Sequence, residues 1–248
     1  MKKSLLLFSF SLIIVASLFA QDKEKKPVSY RQSFTIKFAP AGLAVGKVTF
    51  GGEYNFKRKQ SITFMVGLPF DKNRNIDFDN KTSVITSSAK SAMLGYRYYL
   101  GKKSRSGFYV EPYAKYVNLK AHGFLDANLN GDPARFDTHA TYEGYGAGIQ
   151  LGFQFFIAKT LAIDLFLIGP EANSAKLNTS STDVYDNIPW TLANADDAAK
   201  EIHDKLKDIP YIGDKIDVTV NTNTKTVFTK YAGFAPGFRA GFSVGIRF

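Results

Sequence analysis

The sequence predicts an all-β fold: an eight-stranded antiparallel up-and-down transmembrane β-barrel with a long outer loop containing a short helix. Three observations predict it. Many segments alternate apolar residues with small or polar ones at a period of two, and their connections alternate between short and long. An N-terminal export signal is followed by no apolar run long enough for a membrane-spanning helix. The predicted location is therefore the cell outer membrane.

The closing segment, from Tyr231 to Phe248, shows the alternation most clearly. One series is apolar throughout: Phe234, Pro236, Phe238, Ala240, Phe242, Val244, Ile246 and Phe248. The other is small or polar: Gly233, Ala235, Gly237, Arg239, Gly241, Ser243, Gly245 and Arg247. Successive strand side chains point to opposite faces, so the pattern predicts a strand with its apolar face toward lipid. A membrane helix with small residues at every fourth position is excluded, because Pro236 and Arg239 lie in the middle of the run.

The N-terminus is typical of a secretory signal peptide. Lys2 and Lys3 precede an apolar run from Leu5 to Phe19, which is too short for a membrane anchor, and Ala20 marks the cleavage point. The predicted organisation is a signal peptide at 1–20, a periplasmic leader at 21–30 and the barrel at 31–248, with a long outer loop at 171–230. The chain contains no cysteine, so its stability cannot depend on disulfides.

Seven further segments share the period of two. Their outward apolar series are predicted at Phe34–Phe38, Val48–Phe56, Ile62–Phe70, Ala92–Leu100, Phe108–Tyr116, Tyr145–Ile157 and Leu161–Leu167. The aromatic share is high, at 15%, and tyrosine and phenylalanine supply nearly all of it. With the closing segment, these series predict eight strands, an even number that leaves both ends of the barrel on the periplasmic side.

The connections predict which end of the barrel faces the cell exterior. Short ones lie at Lys57–Gln60, Gly101–Gly107 and Ala158–Thr160, and long ones at Asp71–Ser83, Ala121–Thr141 and Glu171–Lys230. Bacterial barrels have short periplasmic turns and longer outer loops. The connection Ala39–Gly46 departs from this scheme, because it is an outer connection that is short and apolar.

The positive charge of the chain, formally +10, is concentrated in the predicted short turns. We interpret it as a solvated periplasmic rim, and export argues against nucleic acid as a partner. The last outer loop contains apolar residues at helical spacing, which predict an amphipathic helix from about Leu192 to Lys207, ended by Pro210. Its apolar face is expected to cover the outer mouth of the barrel or to bind a partner.

The export signal, the eight amphipathic segments and the terminal GFSVGIRF resemble the small OmpA-like and OmpX-like outer-membrane barrels. The resemblance implies that the barrel-assembly machinery reads the C-terminal strand, at positions that correspond here to Phe242, Val244, Ile246 and Phe248. The stretch Phe34–Phe56 is also similar to the start of a group of short outer-membrane barrels of unknown function. The chain departs from OmpA in lacking a peptidoglycan-binding domain after the barrel, and from OmpX in the size of its last outer loop.

Charged residues are predicted to face the barrel interior, where unpaired charges would be costly. They are Lys37, Glu53, Arg97, Glu111, Lys115, Asp164 and Arg239. A turn centred near Ser104 would place Arg97 directly opposite Glu111. The interior of a barrel of about eight strands is just wide enough to be filled by side chains. This width favours a structural plug over a gate or a proton path.

A second candidate site is a possible calcium loop in the third outer connection. Its oxygen ligands would come from Asp126, Asn128, Asn130, Asp132 and Asp137, with Gly131 supplying the turn. The closing residue is Asp rather than the longer Glu, and no flanking helices are evident. Residues of these types are also common at ordinary hairpin tips, so both interpretations stay open.

Catalysis finds little support in the sequence, and we expect no enzyme. His122, His139 and His203 fall in predicted outer loops, and no nucleophile-elbow pattern is present. The expected function is a structural or surface-interaction role through the outer loops. The alternatives are a soluble periplasmic lipocalin-like lipid-binding barrel and an outer-membrane lipid-modifying hydrolase that uses His122 or His139. The expected partners are outer-membrane lipid, the barrel-assembly machinery and a surface ligand, for a monomer without a cofactor other than the calcium considered above.

Overall fold

Ten antiparallel strands make up nearly all of the part of the chain that the structure describes. The computed structural model describes residues 31–78, 81–101, 105–129, 132–185, 190–191, 195–196, 199–200 and 215–248. The strands are β1 Ser33–Ala39, β2 Lys47–Lys57, β3 Gln60–Pro69, β4 Lys72–Phe78, β5 Lys81–Tyr99, β6 Gly107–Leu129, β7 Asp132–Ile157, β8 Leu161–Asp183, β9 Ile216–Asn221 and β10 Thr226–Arg247.

Eight of these strands close into a ring, in the order β1-β2-β3-β5-β6-β7-β8-β10, and β10 pairs with β1. The closure joins the two ends of the barrel: the Phe248 N–H donates to the Phe34 carbonyl at 2.8 Å, and the Phe34 N–H donates to the Phe248 carbonyl at 3.2 Å. Strands β4 and β9 lie outside the ring, paired with β5 and β10. The predicted eight-stranded antiparallel barrel is therefore confirmed.

The outer surface of the ring is a continuous apolar belt. We define it by the exposed residues Ile36, Phe50, Tyr54, Ile62, Phe64, Val66, Leu94, Tyr96, Phe108, Tyr145, Ile149, Leu151, Ile157, Leu161, Leu167, Phe234, Phe238, Phe242, Val244 and Ile246. Most of the largest fully buried side chains are instead polar or phenolic, among them Glu53, Tyr99 and Glu111. The even-numbered phenylalanines of the closing segment thus face outward, as predicted.

The predicted long loops are mostly strand, which corrects the sequence analysis. The 71–83 connection contains β4 and the start of β5, and the 121–141 connection is a β6–β7 hairpin paired up to Leu129 and Asp132. The 171–230 loop contains the end of β8, all of β9 and the start of β10. Most of these segments are polar on both faces because they lie beyond the belt, and little apolar alternation marks them as strands. We call this paired sheet beyond the belt the outer extension.

The outer extension has a small core of its own. Ala175, Tyr231 and Ala235 are buried there and pack against half-buried Leu177 and Ile216. The alternation of residues 215–228 predicts that they prolong the last strand, and this prediction is met in part. The strand does begin at Thr226, but Ile216–Asn221 folds back beside it as β9.

The short connection between β1 and β2 is a 3-10 helix, Pro40–Val45, that ends at Gly46. Gly46 has a φ of 73°, a left-handed conformation that favours glycine. Its carbonyl accepts hydrogen bonds from the N–H groups of Phe70 and Ala89, both at 3.0 Å. The connection is apolar and short because it is packed against the neighbouring strands rather than extended into solvent.

A β-bulge interrupts the alternation in β8. Leu167 and Ile168 are consecutive and both exposed, and the register of β8 shifts at this point against both neighbouring strands. An extra residue in one strand reverses the parity of every later side chain. The inward series of β8 therefore changes from even numbers, including Asp164, to odd numbers, including Glu171.

Several predictions fall on other parts of the chain. The signal peptide at 1–20 and the leader at 21–30 lie outside the described residues. Of the predicted helix near 192–207, the structure describes Ala195, Asp196, Ala199 and Lys200, and all four are helical. No helix in the described part of the chain has the length and apolar character needed to cross a membrane.

Candidate functional site

Five charged side chains from five strands meet inside the barrel near its short-turn end. They are Lys37 of β1, Glu53 of β2, Arg97 of β5, Glu111 of β6 and Asp164 of β8, and all are buried. Each occupies an inward position of a strand whose alternate residues belong to the apolar belt. The period of two therefore brings together residues as far apart in sequence as Lys37 and Asp164.

The two cations of this cluster bridge its three carboxylates. Lys37 Nζ lies 2.6 Å from Glu53 Oε2 and 2.7 Å from Asp164 Oδ2. Arg97 lies 2.7 Å from Glu111, 2.9 Å from Asp164 and 3.4 Å from Glu53. Arg97 and Glu111 therefore meet as the turn geometry predicted, and each buried charge has a partner of opposite sign. We call these five residues the interior charge network.

Neutral side chains complete the hydrogen bonding of the network. The Tyr99 hydroxyl donates to Glu53 Oε1 at 2.5 Å, and the Tyr109 hydroxyl donates to Asp164 Oδ1 at 2.6 Å. Gln154 Oε1 accepts from Lys37 Nζ at 2.6 Å and from Arg97 Nη1 at 3.0 Å. A buried charge is tolerated only when it is paired and hydrogen-bonded, which is the condition met here.

Lys115 and Arg239, the other two predicted interior charges, lie closer to the outer end of the barrel. Lys115 forms an ion pair with Glu171, which also accepts a hydrogen bond from the Tyr113 hydroxyl at 2.8 Å. The Arg239 guanidinium lies over the Phe166 ring, 4.6 Å from its centroid, and contacts the Met93 sulfur. These side chains form a second interior layer above the charge network.

Glu171 and Lys47 are interior residues that the sequence analysis missed. Glu171 was placed in an outer loop because the β8 bulge breaks the parity that identifies Asp164. Lys47, whose Nζ donates to Ser91 Oγ at 3.2 Å, falls between the predicted connection Ala39–Gly46 and the predicted series that begins at Val48. One feature of the sequence could have identified Glu171. The predicted interior residue Lys115 had no predicted acidic partner at the same depth in the barrel, so an additional interior carboxylate was needed there.

Little space remains between these two layers of described side chains. A cavity of about 20 Å³ between them is bounded by Arg97, Glu111, Gln150, Asp164 and Arg239, and it is about the size needed for a single water molecule. Such an interior can hold the strands in register and resist the passage of solutes.

Four of the five predicted calcium residues lie in the strands of the β6–β7 hairpin. Asp126 is opposite Arg135, 3.9 Å from its Nε, and Asp137 is opposite Phe124. The backbones of Asn128 and Asp132 are also strand-paired, whereas Asn130 lies outside the described residues. The structure brings Asp126 and Asp137 onto neighbouring pairs, and calcium binding stays a prediction.

The same hairpin brings two of the three histidines together. His122 and His139 are directly opposed on β6 and β7, and their rings stack with centroids 4.3 Å apart. The Nε2 atoms of His122 and His139 lie 2.9 Å and 3.4 Å from one carboxylate oxygen, Asp137 Oδ1. The side chains are exposed on the outer extension, and His203 lies outside the described residues.

The predicted assembly-signal residues form the outward edge of the last strand. Phe242, Val244, Ile246 and Phe248 are all exposed on the surface of the barrel. Their backbones remain paired with β1 and β8 up to Ile246. In the closed barrel, the side chains of this segment are accessible from outside, whereas its backbone already pairs with the neighbouring strands.

Comparison with known proteins identifies a family but not an activity. The family model described as "Protein of unknown function (DUF3575)" matches residues 9–169, well over half of the chain. No curated protein matches. Among solved structures, the crystal structure of CarO from Acinetobacter baumannii is similar, with 12% sequence identity and a TM-score of 0.35, covering 87% of this chain and 96% of CarO.

Proposed function

The chain belongs to the DUF3575 family of proteins of unknown function, and we propose that it is an outer-membrane β-barrel whose closed barrel supports a surface-interacting outer extension. The observation that carries this proposal is that the usual arrangement of a soluble protein, with apolar side chains inside and polar side chains outside, is reversed. Apolar side chains face outward around the ring, and the buried interior is charged. In water, an exposed apolar surface of this extent would favour aggregation.

The height of the belt fits a bilayer. On β6 the outward residues are apolar or aromatic from Phe108 to Tyr116, and Asn118 and Lys120 follow at the next outward positions. This interval of about nine residues is what a tilted strand needs to cross the hydrocarbon core. At its upper edge the Tyr116 hydroxyl donates to Glu143 at 3.0 Å, so an aromatic ring meets a polar group where the interface would lie.

The same facts argue against a soluble lipid-binding barrel. A lipocalin-like barrel needs an apolar interior with room for a ligand and a polar outer face. Here the interior contains Lys37, Arg97 and their carboxylate partners, with a cavity of only about 20 Å³. A filled interior of this kind also argues against a diffusion pore.

The outer extension supports the surface-interaction part of the proposal. Strands β5 to β8 and β10 contain 19–26 residues each, whereas β1, β2 and β3 contain 7–11. The additional length lies on one end of the barrel and exceeds what is needed to cross a membrane. A rigid polar sheet projecting from the bilayer is suited to presenting side chains to a partner outside the cell.

Membrane fractionation, heat-dependent gel migration and planar-bilayer recording test this proposal together. We expect the chain in outer-membrane fractions, with a folded band that migrates differently from the boiled one and no steady conductance in bilayers. Recovery in the soluble periplasm would contradict the membrane assignment. Stable channel openings in the purified protein would contradict the plug while leaving the location intact.

A lipid-modifying hydrolase is a second candidate, favoured by the contact between His122 and Asp137. A histidine held by a carboxylate is part of a general-base arrangement. Ser88 and Thr86 line the same surface recess as both histidines. We expect no acyl hydrolase activity toward envelope lipids, and activity that disappears in His122→Asn would favour the hydrolase instead.

A further inference from the structure

The β6–β7 hairpin carries three side chains whose donor atoms converge in a way that the proposed function does not use. We propose that His122, Asp137 and His139 form a binding site for a zinc-class divalent transition metal on the outer extension. The two imidazole nitrogens and the carboxylate oxygen all lie within 4.8 Å of one another. This site goes beyond the proposed function, because an outer-membrane plug with a surface role does not require a metal.

The spacing of the donors matches a tetrahedral ion. Zinc binds histidine nitrogen and carboxylate oxygen at about 2.0–2.2 Å, so two ligands in tetrahedral geometry lie about 3.4 Å apart. The distances from Asp137 Oδ1 to the Nε2 atoms of His122 and His139 are 2.9 Å and 3.4 Å. The two imidazole nitrogens lie within 4.8 Å of each other, so small rotations of these side chains can bring all three donors around one ion.

Strand pairing holds the three residues on one face. His122 and His139 are partners in the register, and Asp137 is two residues from His139 on the same strand. Residues directly opposed and residues two apart share a face of the sheet. The hairpin therefore fixes the backbone of all three ligands before an ion binds, which lowers the ordering cost of binding.

The types of donor select the class of metal. Two imidazoles and one carboxylate suit zinc, copper or nickel, whereas calcium takes six to eight oxygen ligands. The predicted calcium residues contribute only Asp137 to this cluster. Asp126 lies beside Arg135 instead, so its charge is partly compensated by that cation.

Three protein ligands leave a fourth position of a tetrahedral ion for water. The two histidines border a surface recess of about 460 Å³, lined also by Asp71, Thr86, Ser88 and Lys120. In metal sites with three protein ligands, the fourth position is typically occupied by water or by a bound small molecule. Lys120 is two residues from His122 on the same face, and its positive charge opposes binding of the ion without contributing a ligand.

Metal titration of the whole, untagged chain refolded in detergent micelles tests the site. We expect one zinc ion per chain, and we expect His122→Asn, His139→Asn and Asp137→Asn each to weaken binding at least tenfold. Cobalt(II) should give the visible absorption of a tetrahedral complex, with nitrogen and oxygen ligands. His203→Asn is the matched control, because it removes the third histidine of the chain and should leave the affinity unchanged.

The competing outcomes are distinguishable. Zinc affinity that is unchanged in the His122→Asn/His139→Asn double variant would overturn the proposal, as would a loss of the same size in His203→Asn. Tighter binding of calcium than of zinc would also overturn it and would favour the oxygen-ligand loop. Heat-dependent gel migration shows whether each variant folds. We expect the His122, Asp137 and His139 variants to fold, because these residues lie in the outer extension beyond the belt.

Discussion

Arg97 of β5 lies 2.9 Å from Asp164 of β8, although the two strands are separated in the ring by β6 and β7. The contact crosses the lumen rather than following the sheet. Arg97 also contacts Glu53 and Glu111, and its guanidinium lies over the Tyr109 ring at 3.7 Å. It is therefore the residue that connects the largest part of the interior charge network.

Replacing Arg97 by alanine should destabilise the barrel strongly. Glu53, Glu111 and Asp164 would remain buried with Lys37 as the only cation of the network, and breaking a buried pair in this way costs roughly 3–5 kcal/mol. Guanidinium unfolding in micelles, followed by gel migration, measures the loss. Arg74→Ala on exposed β4 is the control, and equal unfolding midpoints for the two variants would contradict the role assigned to Arg97.

Leu94→Arg should destabilise the protein in a bilayer much more than Val84→Arg does. Both residues are exposed outward positions of β5, at 60% and 54% of their surface, but Leu94 lies in the belt and Val84 in the outer extension. A lipid-facing arginine near the bilayer midplane costs about 2–4 kcal/mol, and one in water costs little. Unfolding from lipid vesicles compares the two, and similar losses would contradict the assignment of the belt to the membrane.

Phe248→Ala should reduce the amount of assembled protein in cells while leaving the refolded barrel nearly as stable as the original. The Phe248 backbone bonds to Phe34 survive the change, because only the exposed side chain is removed. Immunoblots of outer-membrane fractions and refolding in micelles measure the two quantities. Phe234→Ala, an outward residue of the same strand outside the assembly signal, should assemble normally; an equal defect there would remove the special role of the terminal residue.

Gly46→Ala should be more destabilising than Gly107→Ala. Both glycines have positive φ, 73° and 105°, so an alanine strains the backbone at either position. A Cβ at Gly46 would in addition overlap the carbonyl oxygens of Ser87 and Phe70, whereas nothing lies within 4 Å of one at Gly107. Thermal unfolding ranks the two variants, and an equal or reversed ranking would show that the packing around the 3-10 helix is not tight.

The sequence predicted the structure correctly where the two faces of a strand lie in sharply different surroundings, the exposed outer surface and the polar interior of the barrel. Phe238 lies on the exposed outer face and its neighbour Arg239 in the interior, so their alternation can be recognised from the sequence. The pairing of Arg97 with Glu111 followed from the same parity and a short turn. Both depend only on local geometry that the strand period determines.

The parts that were missed lie where this contrast is absent or interrupted. In the outer extension most side chains on both faces are polar, so the strand pairing of Asp126 or Thr179 leaves little apolar alternation to detect. At Leu167 and Ile168 the bulge shifts the parity, which concealed Glu171 as the partner of Lys115. The proximity of His122, Asp137 and His139 depended on the register of a hairpin that was predicted to be a loop.

The uninterrupted β6–β7 pairing, from Gly107 opposite Gln154 to Leu129 opposite Asp132, also determines how the protein would respond to mechanical force. A load applied to the far end of this hairpin runs parallel to the strands, so it is shared by the many hydrogen bonds along their edges with β5 and β8 rather than opening them one at a time. The hairpin would therefore extend little under such a load and would break only when many hydrogen bonds break together.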